Sequence, residues 1–449
     1  MDQSILRRYD RPAPRYTSYP TAPHFHDGVD ASTYRTWLHE VAGDESISVY
    51  VHVPFCTAMC WYCGCHTKVV RRYAPVADYA ALLNREIGLL AESLPGRPPI
   101  AHVHWGGGTP TMLSESDFLR LMTALRESFR FGAAHEVAVE IDPRTMTEAK
   151  AAALARAGVT RTSLGVQDLN EEIQAGVNRI QPYDVVEHAV ASLRDAGIDA
   201  INVDLMYGLP GQTVDHVSRT IDQVVALAPD RIALFGYAHV PWMKTHQRLI
   251  DEAALPTARE RFVQAETAAA RLVDLGYRRI GLDHFARPDD GLARALDQGR
   301  LRRNFQGYTD DQARVLLGLG ASAIGCLPQG YVQNAVPFKA YGEAIQSGRL
   351  AVAKGLGIDD DDRLRRAVIE RLMCGLSVDL DAECRRFDLG ADRFGPELDA
   401  LATMARDGLV ELSDNRVTVP EQARPLLRSV CAVFDRYLET GAARHSRAV

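Results

Sequence analysis

Four cysteines, Cys56, Cys60, Cys63 and Cys65, fall within the short segment Pro54-Phe55-Cys56-Thr57-Ala58-Met59-Cys60-Trp61-Tyr62-Cys63-Gly64-Cys65-His66. Thiolates are soft ligands that suit zinc or iron–sulfur clusters. Structural zinc sites usually come as two separated Cys-x2-Cys pairs. Here the spacing is Cys-x3-Cys-x2-Cys on one loop, and Cys63 and Cys65 stand too close together to serve one cluster without strain. Three thiolates on a four-iron cluster leave one iron open, which is what a catalytic centre requires. Cys326, Cys374, Cys384 and Cys431 lie far downstream without ligand spacing and read as small buried hydrophobes. A disulfide framework is not expected in a chain without an export signal.

The elements that must carry this loop can be read from periodicity. Short β-rich segments, Ile47–Val53, Ala101–Trp105, Val137–Ile141, Thr162–Val166, Ile201–Met206 and Ile232–Tyr237, alternate with helical patterns near Asp78–Leu94, Glu115–Phe129, Glu148–Ala157, Tyr183–Ala196, Val214–Leu227 and Ala258–Leu275. Gly158, Gly197 and Gly276 stand where a left-handed residue closes a helix. Ser114, Thr147 and Thr213 stand where a side chain caps one. Alternation of this kind predicts parallel pairing, with helices covering nearly continuous apolar strands such as Ile201–Met206. The fold class expected is α/β: an incomplete (β/α)6 parallel barrel with an N-terminal arm and a smaller, mostly helical C-terminal domain. An open doubly wound sheet is the alternative. Chemistry in such barrels gathers at the C-terminal ends of strands. Cys56, Gly106–Thr109, Asp142-Pro143 and Gln167-Asp168 all fall there.

Residues 1–45, rich in Pro, Tyr and His, read as an extended arm; residues 46–350 as the barrel and its extension; residues 351–449 as helices followed by a small hairpin, a winged-helix-like unit. The acidic run Asp359–Asp362 favours a domain-packing role for that unit over nucleic-acid binding. The chain has 449 residues, 46% hydrophobic and 24% charged, with 51 Lys+Arg against 58 Asp+Glu. A formal charge of -7 argues against a general nucleic-acid footprint. No apolar run approaches the ~20 residues of a membrane span, and no basic-then-apolar leader opens the chain, so a cytoplasmic location is expected.

The Cys-x3-Cys-x2-Cys loop directly after a first strand resembles the signature of radical S-adenosylmethionine (SAM) enzymes. Longer strings narrow the likeness. Tyr50-Val51-His52-Val53-Pro54-Phe55-Cys56, the Cys63-Gly64-Cys65 continuation, His104-Trp105-Gly106-Gly107-Gly108-Thr109-Pro110-Thr111 and Gly165-Val166-Gln167-Asp168 resemble the oxygen-independent coproporphyrinogen III oxidase (dehydrogenase) family. So do Asp204–Pro210, Asp283–Asp290 and Asn304–Thr309, and the likeness begins in the arm at Arg15-Tyr16-Thr17-Ser18-Tyr19-Pro20.

The resemblance implies a [4Fe–4S] cluster on Cys56, Cys60 and Cys63, with SAM on the open iron. It implies contacts of Tyr50, Gly107 and Glu140 with a first SAM, with Ile324 beside its adenine. A second SAM would be held by Tyr62, Gly108, Thr109, Gln167, Arg179, Asp204 and Ala238. Taken alone, Glu140 and Asp204 are acids within apolar strands, which must be paired or functional. Arg179 reads equally as a solvated helix-end charge, and Tyr50, Ala238 and Ile324 as packing residues. His52 and His104 read as hydrogen-bonded wall residues. The implied reaction is decarboxylation of two propionates of coproporphyrinogen III to vinyls, giving protoporphyrinogen IX in heme biosynthesis, by a 5′-deoxyadenosyl radical. It implies an electron donor and an electron acceptor, neither of which it identifies, and a monomer. The substrate is a tetra-anion, so a pocket of Arg and Lys is expected, with Arg11 and Arg15 of the arm as candidates to close over it. A heme-binding chaperone of the same superfamily is the runner-up. Such relatives usually carry an aromatic residue where this chain has Cys65, and tend to lack the long arm.

Overall fold

The computed structural model describes residues 3–438. Its centre is a run of six parallel strands, β1 (Ile47–Val53), β2 (Pro99–Gly107), β3 (Arg130–Ile141), β4 (Arg161–Gln167), β5 (Ala200–Tyr207) and β6 (Arg231–Gly236). They lie side by side in chain order. Between them run α1 (Ala74–Glu92), α2 (Glu115–Ser128), α3 (Glu148–Arg156), α4 (Tyr183–Asp195) and α5 (Val214–Ala226), and α6 (Ala258–Asp274) follows β6. A consecutive strand order has a consequence. Every right-handed crossover deposits its helix on the same face of the sheet, whereas a doubly wound sheet needs a reversal of order to cover both. Neighbouring helices accordingly pack against one another, and the sheet curls with its other face inward. The open doubly wound alternative is excluded.

The caps fall where residue type demanded. Ser114, Thr147 and Thr213 accept from backbone amides three residues on, and Gly158, Gly197 and Gly276 adopt φ of 81°, 86° and 92°. The barrel does not close. After β7 (Arg278–Ile280) and β8 (His284–Ala286), which pair antiparallel beyond β6, the chain returns to the far edge. There β9 (Val315–Leu319) pairs parallel with β1, and β10 (Ile324–Leu327), β11 (Gly330–Asn334) and β12 (Val352–Gly357) extend the sheet antiparallel. Three-residue strands and single parallel partners give little periodicity, so these additions had no counterpart among the expected strands.

One expectation needs correcting. Strands β4 and β5 are not covered on both faces. Thr162, Leu164 and Val166, and Ile201, Val203 and Leu205, are fully buried against the helices, while Ser163, Gly165, Asn202 and Asp204 alternate with them and are half-buried. Those residues face inward, several of them on a cavity of about 280 Å³. Nor is the arm merely extended. It holds helices at Gln3–Tyr9 and Ala31–His39, and Leu6, Tyr9, Tyr16 and Tyr19 pack into a second hydrophobic core with Leu372, Phe394, Leu427 and Phe434. That core is built on α7 (Asp360–Gly375), α8 (Leu380–Arg386) and α9 (Gly395–Arg406), with a three-stranded sheet. Asp359 caps α7, and the acidic run sits in its first turn, where the helix dipole favours negative charge.

Candidate active site

The cysteine loop leaves the C-terminal end of β1 and is held by partners from three neighbouring segments. The Thr67 hydroxyl donates to the Cys56 sulfur at 3.2 Å, and the Thr109 hydroxyl lies 3.5 Å from it. Two guanidiniums reach the Cys60 sulfur, Arg179 at 3.4 Å and Arg144 at 3.7 Å. Asp142 anchors both arginines. From the other side Asn178 donates to the Met59 carbonyl at 2.8 Å, Lys244 to the Cys65 carbonyl at 3.0 Å, and the His246 ring nitrogen lies 2.7 Å from the Cys63 carbonyl. The Cys65 thiol beside it pulls Cys63 down to about 6, with the His246 and Lys244 charges adding to this. Donors and positive charge aimed at sulfur are what thiolates need, and such contacts tune the potential of a bound cluster. Among the described residues, no three His, Cys, Asp or Glu side chains gather tightly enough to hold a single metal ion.

Beside this loop the glycine run ends β2 under close constraint. A Cβ on Gly106 would lie 2.6 Å from Glu140 Oε1, and one on Gly107, where φ is 118°, 2.7 Å from the His52 ring. One on Gly108 would lie 2.7 Å from the Phe55 carbonyl oxygen. Only glycine lets the backbone approach this closely. The Gly107 amide donates to Glu140 at 3.1 Å, and His104 pairs with the same carboxylate at 3.0 Å. Tyr50 stacks on His104 with ring centres 5.9 Å apart, and its hydroxyl lies 2.9 Å from His52 Nδ1. Burial lowers His52 to about 4, so it is a neutral wall residue. Tyr50, Gly107 and Glu140 are thus in one place. Ile324 lies across Gly318 from Tyr50, because β1 pairs Tyr50 with Gly318 and a Cβ there would meet the Ile324 backbone at 2.8 Å.

The remaining expected residues fall in four places. Gly108 and Thr109 adjoin Cys56. Gln167 (φ 70°) and Arg179 converge on Gly165, whose carbonyl accepts from Arg179. Asp204, lower in the barrel, accepts from Ser163 at 3.0 Å and Asn202 at 2.8 Å; burial, then the Glu140 charge, raises it to about 6. Tyr62 and Ala238 are bridged by Gln247, which donates to both carbonyls at 3.0 and 3.2 Å. Arg179 is not a solvated helix-end charge: it is 6% exposed and ion-paired with Asp142.

A second cavity, of about 470 Å³, opens over the ends of β5 and β6 and is lined by Arg15, Tyr207, Ala238, Arg261, Asp283 and Arg428 among others. Tyr237, Ala238, His239 and Trp242 line it, and Lys244, His246 and Gln247, just beyond them in the chain, grip the cysteine loop. Arg15 of the arm donates to the Gly236 carbonyl at 2.9 Å. Arg11 does not reach the cavity; it bonds the Arg8 carbonyl on its own arm helix. Arg261, Arg303 and Arg428 carried no motif and sit on elements remote from the cysteines in sequence. Arg303 directly precedes the matched string Asn304–Thr309, which is a signal for it, whereas Arg261 and Arg428 stand beside no matched string.

Comparison with known proteins agrees with this geometry. Residues 50–224 match the model of the radical SAM superfamily, and residues 358–426 that of the HemN C-terminal domain. The chain is 51% identical to the oxygen-independent coproporphyrinogen III oxidase of Bradyrhizobium diazoefficiens, over 97% of both chains. It is 42% identical to that of Paracoccus denitrificans, over 100% of this chain and 99% of the relative. The solved coproporphyrinogen III oxidase (HemN) from Escherichia coli, described as a radical SAM enzyme, superposes with a TM-score of 0.91 at 38% identity, covering 97% of this chain and 99% of that one. The heme-chaperone alternative is not favoured. With a three-cysteine loop on an open parallel sheet, and relatives of this identity along its whole length, the chain belongs to the oxygen-independent coproporphyrinogen III oxidase family of the radical SAM superfamily.

Proposed function

We propose that this chain converts two propionate side chains of coproporphyrinogen III to vinyl groups without oxygen, giving protoporphyrinogen IX. From each side chain one hydrogen atom, one carbon dioxide and one further electron leave. When bound, a [4Fe–4S] cluster on Cys56, Cys60 and Cys63 and its SAM supply the carbon radical that accepts the hydrogen. The chain's own residues prepare that event. Thr67, Thr109, Arg144 and Arg179 stabilise negative charge on the sulfurs of Cys56 and Cys60. Gly107 and Gly108 let a zwitterionic amino acid lie against the backbone, and Glu140, fixed by His104 and the Gly107 amide, offers a carboxylate to its ammonium.

The observation that carries this reading is the contact between the glycine run and the cysteine loop, where the Gly108 amide donates to the Val53 carbonyl at 3.0 Å and any Cβ at Gly108 would clash with the Phe55 backbone. A second SAM on Tyr62, Gly108, Thr109, Gln167, Arg179, Asp204 and Ala238 is part of the proposal. Two decarboxylations give it a reason. So are a monomeric, cytoplasmic protein, a three-part chain divided near residues 45 and 350, and separate one-electron donor and acceptor partners. No helix among the described residues is long and apolar enough to cross a membrane. Anaerobic turnover of reconstituted protein with SAM, a reductant and coproporphyrinogen III, followed by product analysis, tests the reaction. Absence of both the tripropionate intermediate and protoporphyrinogen IX refutes it.

A further inference from the structure

Cys56 is separated from the outside of the molecule by a single strand. Phe55–Cys56 pairs parallel with Lys68–Val69. The Lys68 amide donates to the Pro54 carbonyl at 2.8 Å, and the Val70 amide to the Cys56 carbonyl at 3.0 Å. Lys68 and Val69 are exposed, so the outer surface lies one strand spacing, about 4.8 Å, from the backbone of Cys56. Thr67, just before them, donates to the Cys56 sulfur. Elsewhere the loop is backed by side chains, Arg144 and Arg179 at Cys60 and Lys244, His246 and Gln247 from Tyr62 to Cys65.

The strip of surface over that strand is cationic and apolar, in a chain whose formal charge is -7. Residues 66–77 carry Lys68, Arg71 and Arg72 and no carboxylate, and residues 335–342 carry Lys339 and none either. The two stretches meet where the Lys68 ammonium stands over the Phe338 ring, 5.7 Å from its centre. Phe338 in turn stacks on Phe55 and His66, with ring centres 5.7 Å apart in each case. Arg71 and Arg72 are exposed, and among the described residues no ion pair holds either guanidinium. Lys339 reaches only Glu343 on its own helix, at 3.8 Å, with its side chain 88% exposed. Three apolar or aromatic side chains interleave with these cations, Val69, Tyr73 and Val336, each more than a third exposed. The flanking acids are Glu343, exposed Asp78 on α1, and Asp117, which is taken up by Arg120 at 2.7 Å and by the Tyr73 hydroxyl. Apolar side chains gathered on a surface and rimmed by one sign of charge mark a contact site for a partner of the other sign.

We propose that Lys68, Val69, Arg71, Arg72, Tyr73 and Lys339 form the docking surface for a small acidic one-electron carrier, whose electron enters through the strand pair at Cys56. This rests on the reaction proposed above and gives the chemistry of its electron donor. One electron leaves the reduced carrier and one enters the oxidised cluster on Cys56, Cys60 and Cys63; no bond forms or breaks. A carrier of net negative charge is repelled by the chain as a whole and drawn to this strip, which raises its association rate and fixes its orientation. The two valines suit an apolar protein contact and give a nucleic acid nothing to stack on. Trp242 and Met243, also exposed, belong to the opposite side of the cysteine loop, where Trp242 lines the cavity over β5 and β6. Donor and substrate thus approach from different sides.

The test uses a plant-type ferredoxin, a small acidic one-electron carrier of low potential, with the reconstituted holoenzyme kept anaerobic. Calorimetry measures binding of the oxidised ferredoxin. Freeze-quench EPR, without substrate, follows reduction of the four-iron cluster by the reduced form. Binding to wild type weakens about tenfold between ~50 and ~500 mM salt. Arg71→Glu combined with Arg72→Glu lowers both the affinity and the second-order reduction rate about tenfold or more, whereas Arg71→Lys combined with Arg72→Lys stays near wild type. Photoreduced 5-deazariboflavin, a small uncharged reductant, reduces wild type and the double glutamate variant at the same rate, and their iron contents agree. Should that variant fail to fold, Lys339→Glu, on a fully solvated side chain, carries the test by slowing ferredoxin and not deazariboflavin. Absence of ferredoxin binding to wild type, wild-type affinity and rate in the glutamate variants, or equal slowing with deazariboflavin overturns the docking surface. So does slowing by Met243→Glu with none from the arginine pair, or an oligonucleotide that binds this strip where ferredoxin does not. Turnover of coproporphyrinogen III by wild type with deazariboflavin as reductant checks the reaction separately. Its absence overturns the reaction and the donor's role with it, while its presence beside a failed ferredoxin result overturns the docking surface alone.

Discussion

Two glycines flank the cluster ligands in different ways, and exchanging each for alanine separates motif from geometry. A Cβ on Gly108 would lie 2.7 and 2.8 Å from the carbonyl oxygen and amide nitrogen of Phe55 and 2.5 Å from the Thr67 hydroxyl, whereas ordinary contact begins at 3.4 Å. The threonine can rotate, but the Phe55 backbone cannot, because Phe55–Cys56 is paired with Lys68–Val69. Relief therefore moves Cys56 by roughly 0.7 Å, at a cost of about 1–3 kcal/mol for overpacking. That displacement exceeds the ~0.5 Å within which a functional constellation must be held, and misplacement approaching 1 Å lowers a rate by about 10²-fold. Gly64 lies between Cys63 and Cys65, yet a Cβ there meets nothing within 4 Å. Gly108→Ala should give substoichiometric iron and sulfide after anaerobic reconstitution and turnover reduced about 10²-fold, while Gly64→Ala loads and turns over like wild type. A fully loaded and active Gly108→Ala enzyme, or equal damage from both variants, refutes the reasoning.

Glu86, fully enclosed beneath β1 and β9, accepts from the Gly320 amide, Asn334 and Tyr341, each at 2.7 Å, and burial raises it to about 7. The folded chain therefore holds this proton more tightly than the unfolded one. Stability from this group is complete below about pH 4.5 and falls as pH rises toward 7, by about 3 kcal/mol. Glu86→Gln should flatten the pH dependence of the denaturation midpoint, and an unchanged profile would count against the assignment. Cys65→Ser should keep the cluster's absorbance, since the Lys244 contact is to the Cys65 carbonyl and survives the change; loss of the chromophore would make Cys65 a ligand. Removing residues 1–20 deletes Arg15 and takes Leu6, Tyr9, Tyr16 and Tyr19 out of the second core. Turnover should vanish while iron content stays at wild-type levels, and a truncated enzyme with normal turnover would show the arm to be dispensable.

Much of the site was legible because its residues are local. The three ligands, the glycine run and the residues at strand ends lie on short segments whose strand or loop state follows from nearest-neighbour pattern. The helix caps at Ser114, Thr147 and Thr213 follow for the same reason, a side chain and its amide three residues apart. The inward face of β5 was misjudged. Asn202 and Asp204 alternate with apolar residues, and the pattern alone does not tell a covered face from one that opens on a cavity. Other functional features depend on contacts far apart in the chain. Arg15 and Arg428 meet across more than four hundred residues, and Gln247 joins Tyr62 to Ala238.

Residue type and short spacing carry the expected ligand chemistry, the alternation of strand and helix, and the likeness to a family, because each is a local property of the chain. Only the packed structure shows that short antiparallel strands lengthen the sheet at both edges, that the arm joins the C-terminal core, and that arginines from separate elements face one cavity. Those outcomes are set by which surfaces pack together and by how buried charge is shared among distant side chains, and neither leaves a periodic trace along the chain.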